Sequence, residues 1–287
     1  MRITKAAWLG LCLCLAPLVS VPARADEPAT RLIARAGHNT AFHIFPAHPA
    51  PGQDVAHGPV IVLDAGGGLD AYYWDALVPE LARRTGARII SYDRAGSGAS
   101  DEVPGPWSVQ GATEDLENGL RALGATHGVI LVSHSLAGEI ATYLAGRHPD
   151  WIAGAVLVDA NVPDFFTDDV IDRQMASYAP MIAALKAQSP TPQGRQLLAL
   201  ADSFAETSRA FHKAVWPAAV PAVVIVSEKT PFDAPADAQW WRDAHARFAG
   251  GAPNRQLVSA QGSSHDVVHD RPEVIVQAVV DMMARKR

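Results

Sequence analysis

Ser135 sits where an apolar run gives way to a helical pattern, and that placement carries more chemistry than any other feature of this sequence. The stretch Leu131-Val132-Ser133-His134-Ser135-Leu136-Ala137-Gly138 leads directly into the helix expected over Glu139–Arg147. A strand that turns abruptly into a helix at a serine is a nucleophile elbow: the turn strains the serine backbone and leaves its hydroxyl exposed above the strand ends. Neighbours two positions away must be small, or their Cβ atoms collide across the turn. The usual pattern is G-x-S-x-G; here Ser133 and Ala137 replace the glycines and remain small. A serine before a helix is also a common N-cap, and a serine hydroxyl, nearly un-ionised at neutral pH, needs a neighbouring base to become a nucleophile. The rest of the chain must decide.

A second stretch, Asp64-Ala65-Gly66-Gly67-Gly68, follows another apolar run. It is no phosphate loop, because no Lys follows and the G-x-G-x-x-G spacing is missing; Gly96-Ser97-Gly98 reads only as a tight turn. His265 and His269 do not form the H-E-x-x-H zinc signature. His38, His43, His48 and His57 precede the core and read as surface residues.

The elements that must position these residues alternate between two periodicities. Short β-branched runs read as strands buried on both faces: Val60–Leu63, Arg88–Tyr92, Val129–Val132, Ala155–Val158 and Ala222–Val226, with a strand-like run at Arg255–Ser259. Helical spacing links Trp74, Leu77, Val78 and Leu81, then Leu116, Leu120 and Leu123, and Ile140, Leu144 and Ala145. Further helices are expected over Ala238–Phe248 and at the closing Val274, Ile275, Ala278, Val279 and Met282. Strand and helix in turn predict an α/β architecture with a doubly wound, mostly parallel sheet. Residues 26–39 read as a short polar, irregular lead-in. Residues 161–216 hold no convincing strand, only two helical groups (Met175–Leu185 and Leu197–Phe204), separated by Ser189-Pro190-Thr191-Pro192-Gln193-Gly194. They are expected to form a helical cap inserted after the sixth strand, because ligands of such sheets bind at the carboxyl ends of the strands.

Arg2 and Lys5 precede an apolar run from Ala6 to Ala16, followed by Pro17 and Ala23-Arg24-Ala25. This layout predicts a secretory signal peptide over 1–25, cut after Ala25, and so a secreted or periplasmic protein with no stable membrane anchor after cleavage. Cys12 and Cys14 lie in that segment, which leaves the mature region, 26–287, without a thiol for a disulfide, a nucleophile or a metal. Removing Arg2, Lys5 and Arg24 leaves 21 basic against 30 acidic side chains, a net charge of −9. Nucleic acid and anionic lipid surfaces are excluded as natural partners on that balance. No metal or organic cofactor is implied, and the expected partner is a small-molecule, ester-like substrate.

Over residues 40–285 the chain resembles the α/β-hydrolase superfamily. Tyr92-Asp93-Arg94-Ala95-Gly96-Ser97-Gly98-Ala99-Ser100-Asp101 looks like that family's loop after its fourth strand, and Gly154–Ala160 like its sixth strand. Gly262-Ser263-Ser264-His265, followed by Asp270-Arg271-Pro272-Glu273, looks like its histidine loop and last helix. The resemblance implies a chain order of nucleophile, acid, then a late histidine: Ser135, an aspartate, and His265 as base. It leaves two aspartates for the acid. Many relatives place it just after the seventh strand, where this chain has Thr230; Asp159, ending the sixth strand, is favoured over Asp233 in the seventh-strand loop. The resemblance further implies backbone N–H donors for an oxyanion from Leu136 and from Gly66, with Gly67 as fallback, although Asp64-Ala65 stands where the family often has His-Gly. His134 is expected to pack near the site, and Asp93 and Arg94 to brace the loop after the fourth strand.

The function expected is a serine hydrolase that cleaves an ester or related acyl bond through an acyl-enzyme. A lactonase or lyase using the same residues, or a catalytically silent binding protein with this fold, are the competing expectations. Phe165, Phe166, Met175, Tyr178, Met181 and Trp216 make the cap apolar, chiefly for packing its own helices.

Overall fold

A computed structural model describes residues 28–48, 58–103, 105–188 and 191–285; the expected signal peptide and His57 lie outside these. Eight strands form one sheet in the order β1-β2-β4-β3-β5-β6-β7-β8. They are β1 (Ala29–Arg35), β2 (His38–Phe45), β3 (Val60–Asp64), β4 (Arg88–Tyr92), β5 (Val129–His134), β6 (Ile152–Val158), β7 (Ala222–Ser227) and β8 (Arg255–Ala260). β4 through β8 and β3 pair in parallel, whereas β1 and β2 are antiparallel. The sheet is therefore mostly parallel, with an antiparallel ribbon at one edge.

Helices cover both faces: α1 (Val78–Thr85), α2 (Val109–Ala122), α3 (Ala137–Arg147), α6 (Pro235–Gly250), the short α7 (Val267–Asp270) and α8 (Pro272–Ala284). Successive strand residues point to opposite sides, so each buried strand must feed two cores. Val60 and Val62 of β3, with Val129 and Leu131 of β5, pack with Leu116, Leu120, Ile140 and Leu144 of α2 and α3. Ile61, Leu63, Ile130 and Val132 join Trp74, Leu77 and Leu81 and the α8 residues Ile275 and Val279 on the other face. That double burial is why these strands are apolar without a break.

Two expectations are corrected at the sheet edge. Residues 29–39 are not irregular: β1 and the first two residues of β2 occupy them, turning at Ala36 (φ 48°) and Gly37 (φ 86°). β1 lies at the sheet edge, largely exposed, so its sequence carries no burial pattern to betray it. His38 is buried rather than superficial, its Nε2 3.0 Å from Asp115 Oδ1. His43 is half-buried, with Nε2 3.0 Å from Asp93 Oδ2, and His48 is exposed.

Between β6 and β7 run two 20-residue helices, α4 (Asp168–Ala187) and α5 (Pro192–Phe211), packed on each other. Their roots are anchored in the core through Phe165, Phe166, Val170, Ile171 and Phe211. Farther along, Met175, Tyr178 and Met181 remain 45, 37 and 50% exposed, so these three do not serve mainly to pack the cap. Trp216 is buried under the sheet margin, its Nε1 donating to the Val220 carbonyl at 2.9 Å.

The chain departs from β3 and from β5 in opposite directions across the sheet, towards β4 and towards β6 respectively. Adjacent β3 and β5 thus straddle a topological switch point, whose carboxyl-end crevice is where α/β sheets bind ligands. The loop beginning at Ala65 and the serine at position 135 are the two segments that leave the strands there.

Packing of α2 against β2 gives a direct test of the core. Gly119 lies in the middle of α2, where exchange for Ala normally gains up to about 1 kcal/mol. A Cβ at this position, however, would stand 1.9 Å from Cζ of the buried Phe42 ring. Overpacking then outweighs propensity, and Gly119→Ala is expected to destabilise the protein by about 1–3 kcal/mol in denaturant unfolding; an unchanged or raised stability would show that Phe42 has room to move.

Candidate active site

Ser135 follows β5 with a left-handed backbone (φ 54°). Three hydrogen bonds hold it there: its N–H donates to Val158 O at 3.3 Å, and its carbonyl accepts from Gly138 N at 3.0 Å and Asn161 N at 2.8 Å. Ser133 and Ala137 are both buried, small enough for the turn to close. The glycine that the close approach demands is Gly138, where a Cβ would lie 2.2 Å from the Asn161 carbonyl oxygen.

Asp159, directly after β6, is likewise left-handed (φ 41°) and fully buried. Among the described residues three non-glycines have positive φ; one is in the β1–β2 turn and the other two are Ser135 and Asp159. Such backbone costs about 1–3 kcal/mol and concentrates where function over-determines the geometry. Both carboxylate oxygens of Asp159 are fully engaged. Oδ1 accepts from Ser227 N (3.1 Å) and Trp241 Nε1 (2.8 Å), and Oδ2 from Ser227 Oγ (2.7 Å) and His265 Nδ1 (2.6 Å). Four donors match the four lone-pair positions of an ionised carboxylate. Burial opposes ionisation, but the hydrogen bond and charge of His265, the field of His245 and the Ser227 hydroxyl outweigh it, so the pKa lies below the ordinary carboxylate value.

His265 leaves the loop between β8 and α7. Its Nε2 is 3.0 Å from Ser135 Oγ, so one imidazole bridges the hydroxyl and the buried carboxylate. The His265 carbonyl accepts from His134 Nε2 at 3.0 Å, and the two rings pack at a centroid distance of 4.7 Å. Since a carbonyl only accepts, His134 carries its proton on Nε2. Burial, followed by repulsion from His265, lowers the His134 pKa to about 4 and keeps that ring neutral. Tyr73 closes the stack on its far side, at 4.8 Å from His134.

The structure thus brings Ser135, Asp159 and His265 together. Asp233 is exposed, and the ring nitrogens of His265 are already engaged by Ser135 and Asp159. Thr230 has a buried hydroxyl without a partner among the described residues. His269 is exposed, paired with Asp266.

Leu136 and Gly66 have backbone N–H groups that donate to no acceptor among the described residues. Gly66 lies flush against the elbow: a Cβ there would stand 3.2 Å from Cβ of Ser135 and 2.9 Å from His134 Nδ1. Arg94 fixes this loop. Its guanidinium donates to Asp64 Oδ1, to the Ala65 carbonyl (2.6 Å) and to the Gly66 carbonyl, while Tyr92 OH donates to Asp64 Oδ2 at 2.8 Å. Asp64 is thereby held by two donors, the Arg94 guanidinium and the Tyr92 hydroxyl. Arg94 braces the loop after β3 rather than its own, whereas Asp93 holds Ala99 N and Ala71 N, each at 2.9 Å.

A cavity of about 270 Å³ opens beside Ser135 and Leu136, roofed by Met175, Tyr178, Met181 and Leu200 of the cap. A larger one, about 390 Å³, shares Trp107 with it and takes in none of Ser135, Asp159 and His265; its Arg35 and Arg195 are paired with Asp115 and Glu102. Among the described residues no cluster of three or more His, Cys, Asp or Glu is placed to hold a metal ion.

Three participants went unnoticed in the sequence. Ser227 and Trp241 reach Asp159 across the sheet, and nothing in their local pattern marks them. Glu139 had a signal: it is an acid amid the buried Ala137, Ile140, Ala141 and Leu144 of α3. It is 2% exposed and accepts from Asn161 Nδ2 at 2.7 Å on Oε1, while Oε2 has no partner among the described residues. Burial raises its pKa to about 7 against the opposing Asn161 hydrogen bond.

Comparisons with known proteins agree with the architecture. The family model for the alpha/beta hydrolase fold matches residues 58–219. An uncharacterized protein of Bacillus subtilis (strain 168), YqjL, is 26% identical over 229 residues, 78% of this chain and 83% of that one. The crystal structure of a bromoperoxidase from Bacillus anthracis superposes with a TM-score of 0.66 at 17% identity, covering 89% of this chain and 99% of its own. A hydrolase from Pseudomonas aeruginosa PA01 superposes at 0.61 with 20% identity, covering 89% and 98%.

The buried acid makes stability depend on pH with a defined sign. An acid whose folded pKa exceeds its unfolded value contributes stability that is present at low pH and lost as pH rises through the folded value. For Glu139 the window runs from about 4.5 to about 7, and the loss is on the order of 3 kcal/mol. Glu139→Gln is expected to remove it: relative to wild type, the variant gains about 2–3 kcal/mol in unfolding free energy between pH about 5 and about 8.5. Parallel pH profiles for the two proteins would place Glu139 in a more solvated setting.

Proposed function

Since the chain belongs to the alpha/beta hydrolase fold family, we propose that it is a serine hydrolase acting on an ester or related acyl bond, with Ser135 as nucleophile, His265 as general base and acid, and Asp159 as the group that orients His265. The observation that carries this reading is the continuous run of hydrogen bonds from Ser135 Oγ through His265 to Asp159.

In this mechanism Ser135 Oγ attacks the substrate carbonyl while His265 Nε2 takes its proton. The imidazolium formed is stabilised by Asp159, which keeps its own charge because its oxygens are saturated with donors. The N–H groups of Leu136 and Gly66 would receive the oxyanion of the tetrahedral intermediate. His265 then returns the proton to the departing alcohol, and the acyl group remains on Ser135. Water, activated by the same imidazole, attacks the acyl-enzyme and restores the serine. His134, neutral and hydrogen-bonded to the His265 carbonyl, would hold the base's backbone without competing for its proton.

The sequence of residues 1–25 supports a secretory leader, and with it a place outside the cytoplasm for the mature enzyme. The apolar cap side chains around the cavity suit a small substrate with a hydrophobic part.

A fluorophosphonate probe is expected to label the protein at Ser135, and Ser135→Ala to abolish labelling; a folded wild type that resists the probe would favour a silent binding protein. On a chromogenic ester, Asp159→Asn should lower kcat by about ten-thousand-fold, whereas Asp233→Asn should leave it within about twofold. The reverse ranking would move the acid to the loop after β7.

A further inference from the structure

Glu139 is not needed by the acyl-transfer mechanism, yet it lies one helical turn beyond Ser135 and lines the same cavity. A buried carboxyl group is costly unless its oxygens are paired, and here only Oε1 is, by Asn161. Oε2 has no partner among the described residues. No Lys, Arg or His lines this cavity among the described residues, so Glu139 is the one carboxyl group in its wall and has no basic side chain opposite it. The remaining wall combines apolar cap side chains and the aromatic rings of Trp107, Tyr178 and Phe204 with the uncharged polar Asn161, Ser203, Thr207 and Ser208. Such rings attract cations through their faces. A neutral or anionic ligand would leave the acid as it is or repel it. A protonated amine would supply both the missing donor and the missing charge.

We propose that the cavity beside Ser135 selects an ester that carries a protonated amine, with Glu139 as the counter-charge and specificity-determining residue. This rests on the reading of Ser135 as the nucleophile that faces the same ligand. The amine-bearing part lies against Glu139 and the aromatic rings, and the scissile carbonyl lies at Ser135, about one helical turn away.

Binding separates this selectivity from turnover. The folded Ser135→Ala protein is titrated by tryptophan fluorescence with two isosteric pairs of esters. One pair places the cation on the alcohol side, 2-(dimethylamino)ethyl butyrate against 3-methylbutyl butyrate. The other places it on the acyl side, methyl 4-(dimethylamino)butanoate against methyl 5-methylhexanoate. In one pair the cation is expected to bind at least about tenfold more tightly than its neutral isostere. Adding Glu139→Gln should bring the two within about twofold, while Glu139→Asp, which keeps the charge, should retain the preference. Equal or tighter binding of the neutral esters in both pairs, a preference that survives Glu139→Gln, or no binding by any of the four would overturn the proposal. A labelled Ser135 without cation preference would refute the selectivity alone. A cation preference in a protein whose Ser135 resists fluorophosphonate would refute the nucleophile alone.

Discussion

The hydrogen bond between Asp159 and His265 is the interaction on which the rest of the site depends. A carboxylate with no exposure to water remains charged only because four donors converge on it, and three of them come from outside the loops that carry Ser135 and His265: two from Ser227 and one from Trp241. Its ionisation in turn fixes the proton of His265 on Nδ1 and leaves the Nε2 lone pair for Ser135. The backbone gives up conformational ease to achieve this. Asp159 and Ser135 both sit in the left-handed region, and the amide and carbonyl groups around them are tied across from β6, β7 and α3. Neither strain is local in cause, because each is held by a neighbouring strand.

Sheet topology explains why these pieces meet. β3 and β5 are neighbours whose connections diverge, so the segments that leave them open a crevice rather than cover each other. Into it come the glycine loop from β3 and Ser135 from β5, while β6 and β8 deliver Asp159 and His265 from one side. Arg94 links the β3 loop to β4 through Asp64 and two carbonyls, which sets Gly66 against the elbow. The cap then closes over the apolar end, and Glu139 remains on the floor as the one carboxyl group that lines that space among the described residues.

What could be read from the residues follows the physics of burial. The parallel strands were legible because burial on two faces leaves an unbroken apolar run. Ser135 was legible because a strand–serine–helix junction is rare chemistry in a recognisable setting. His265 and Asp159 needed the register of a family, since their spacing from Ser135 carries no period. β1 escaped because an exposed edge strand has no buried face to print on its sequence, and β2 because polar His38, Asn39, Thr40 and His43 break up its buried run. His38 escaped with it, since its partner Asp115 lies on α2, distant in the chain. Ser227 and Trp241 could not be singled out at all: a serine ending a strand and a tryptophan in a helix are ordinary until tertiary packing aims both at one carboxylate. The departures at Ser133, Ala137, Ala65 and Asp64 look like defects in a motif, yet each has a structural counterpart in small size or in a salt bridge to Arg94.

The most direct measurement is the proton NMR resonance of the His265 ring N–H in the resting protein, followed with Asp159 intact and replaced by Asn. A short bond to an ionised, water-excluded carboxylate should give a far-downfield, slowly exchanging signal that disappears in the variant. A wild-type signal at the position of an ordinary solvated imidazole, unmoved by the replacement, would contradict the account at its centre.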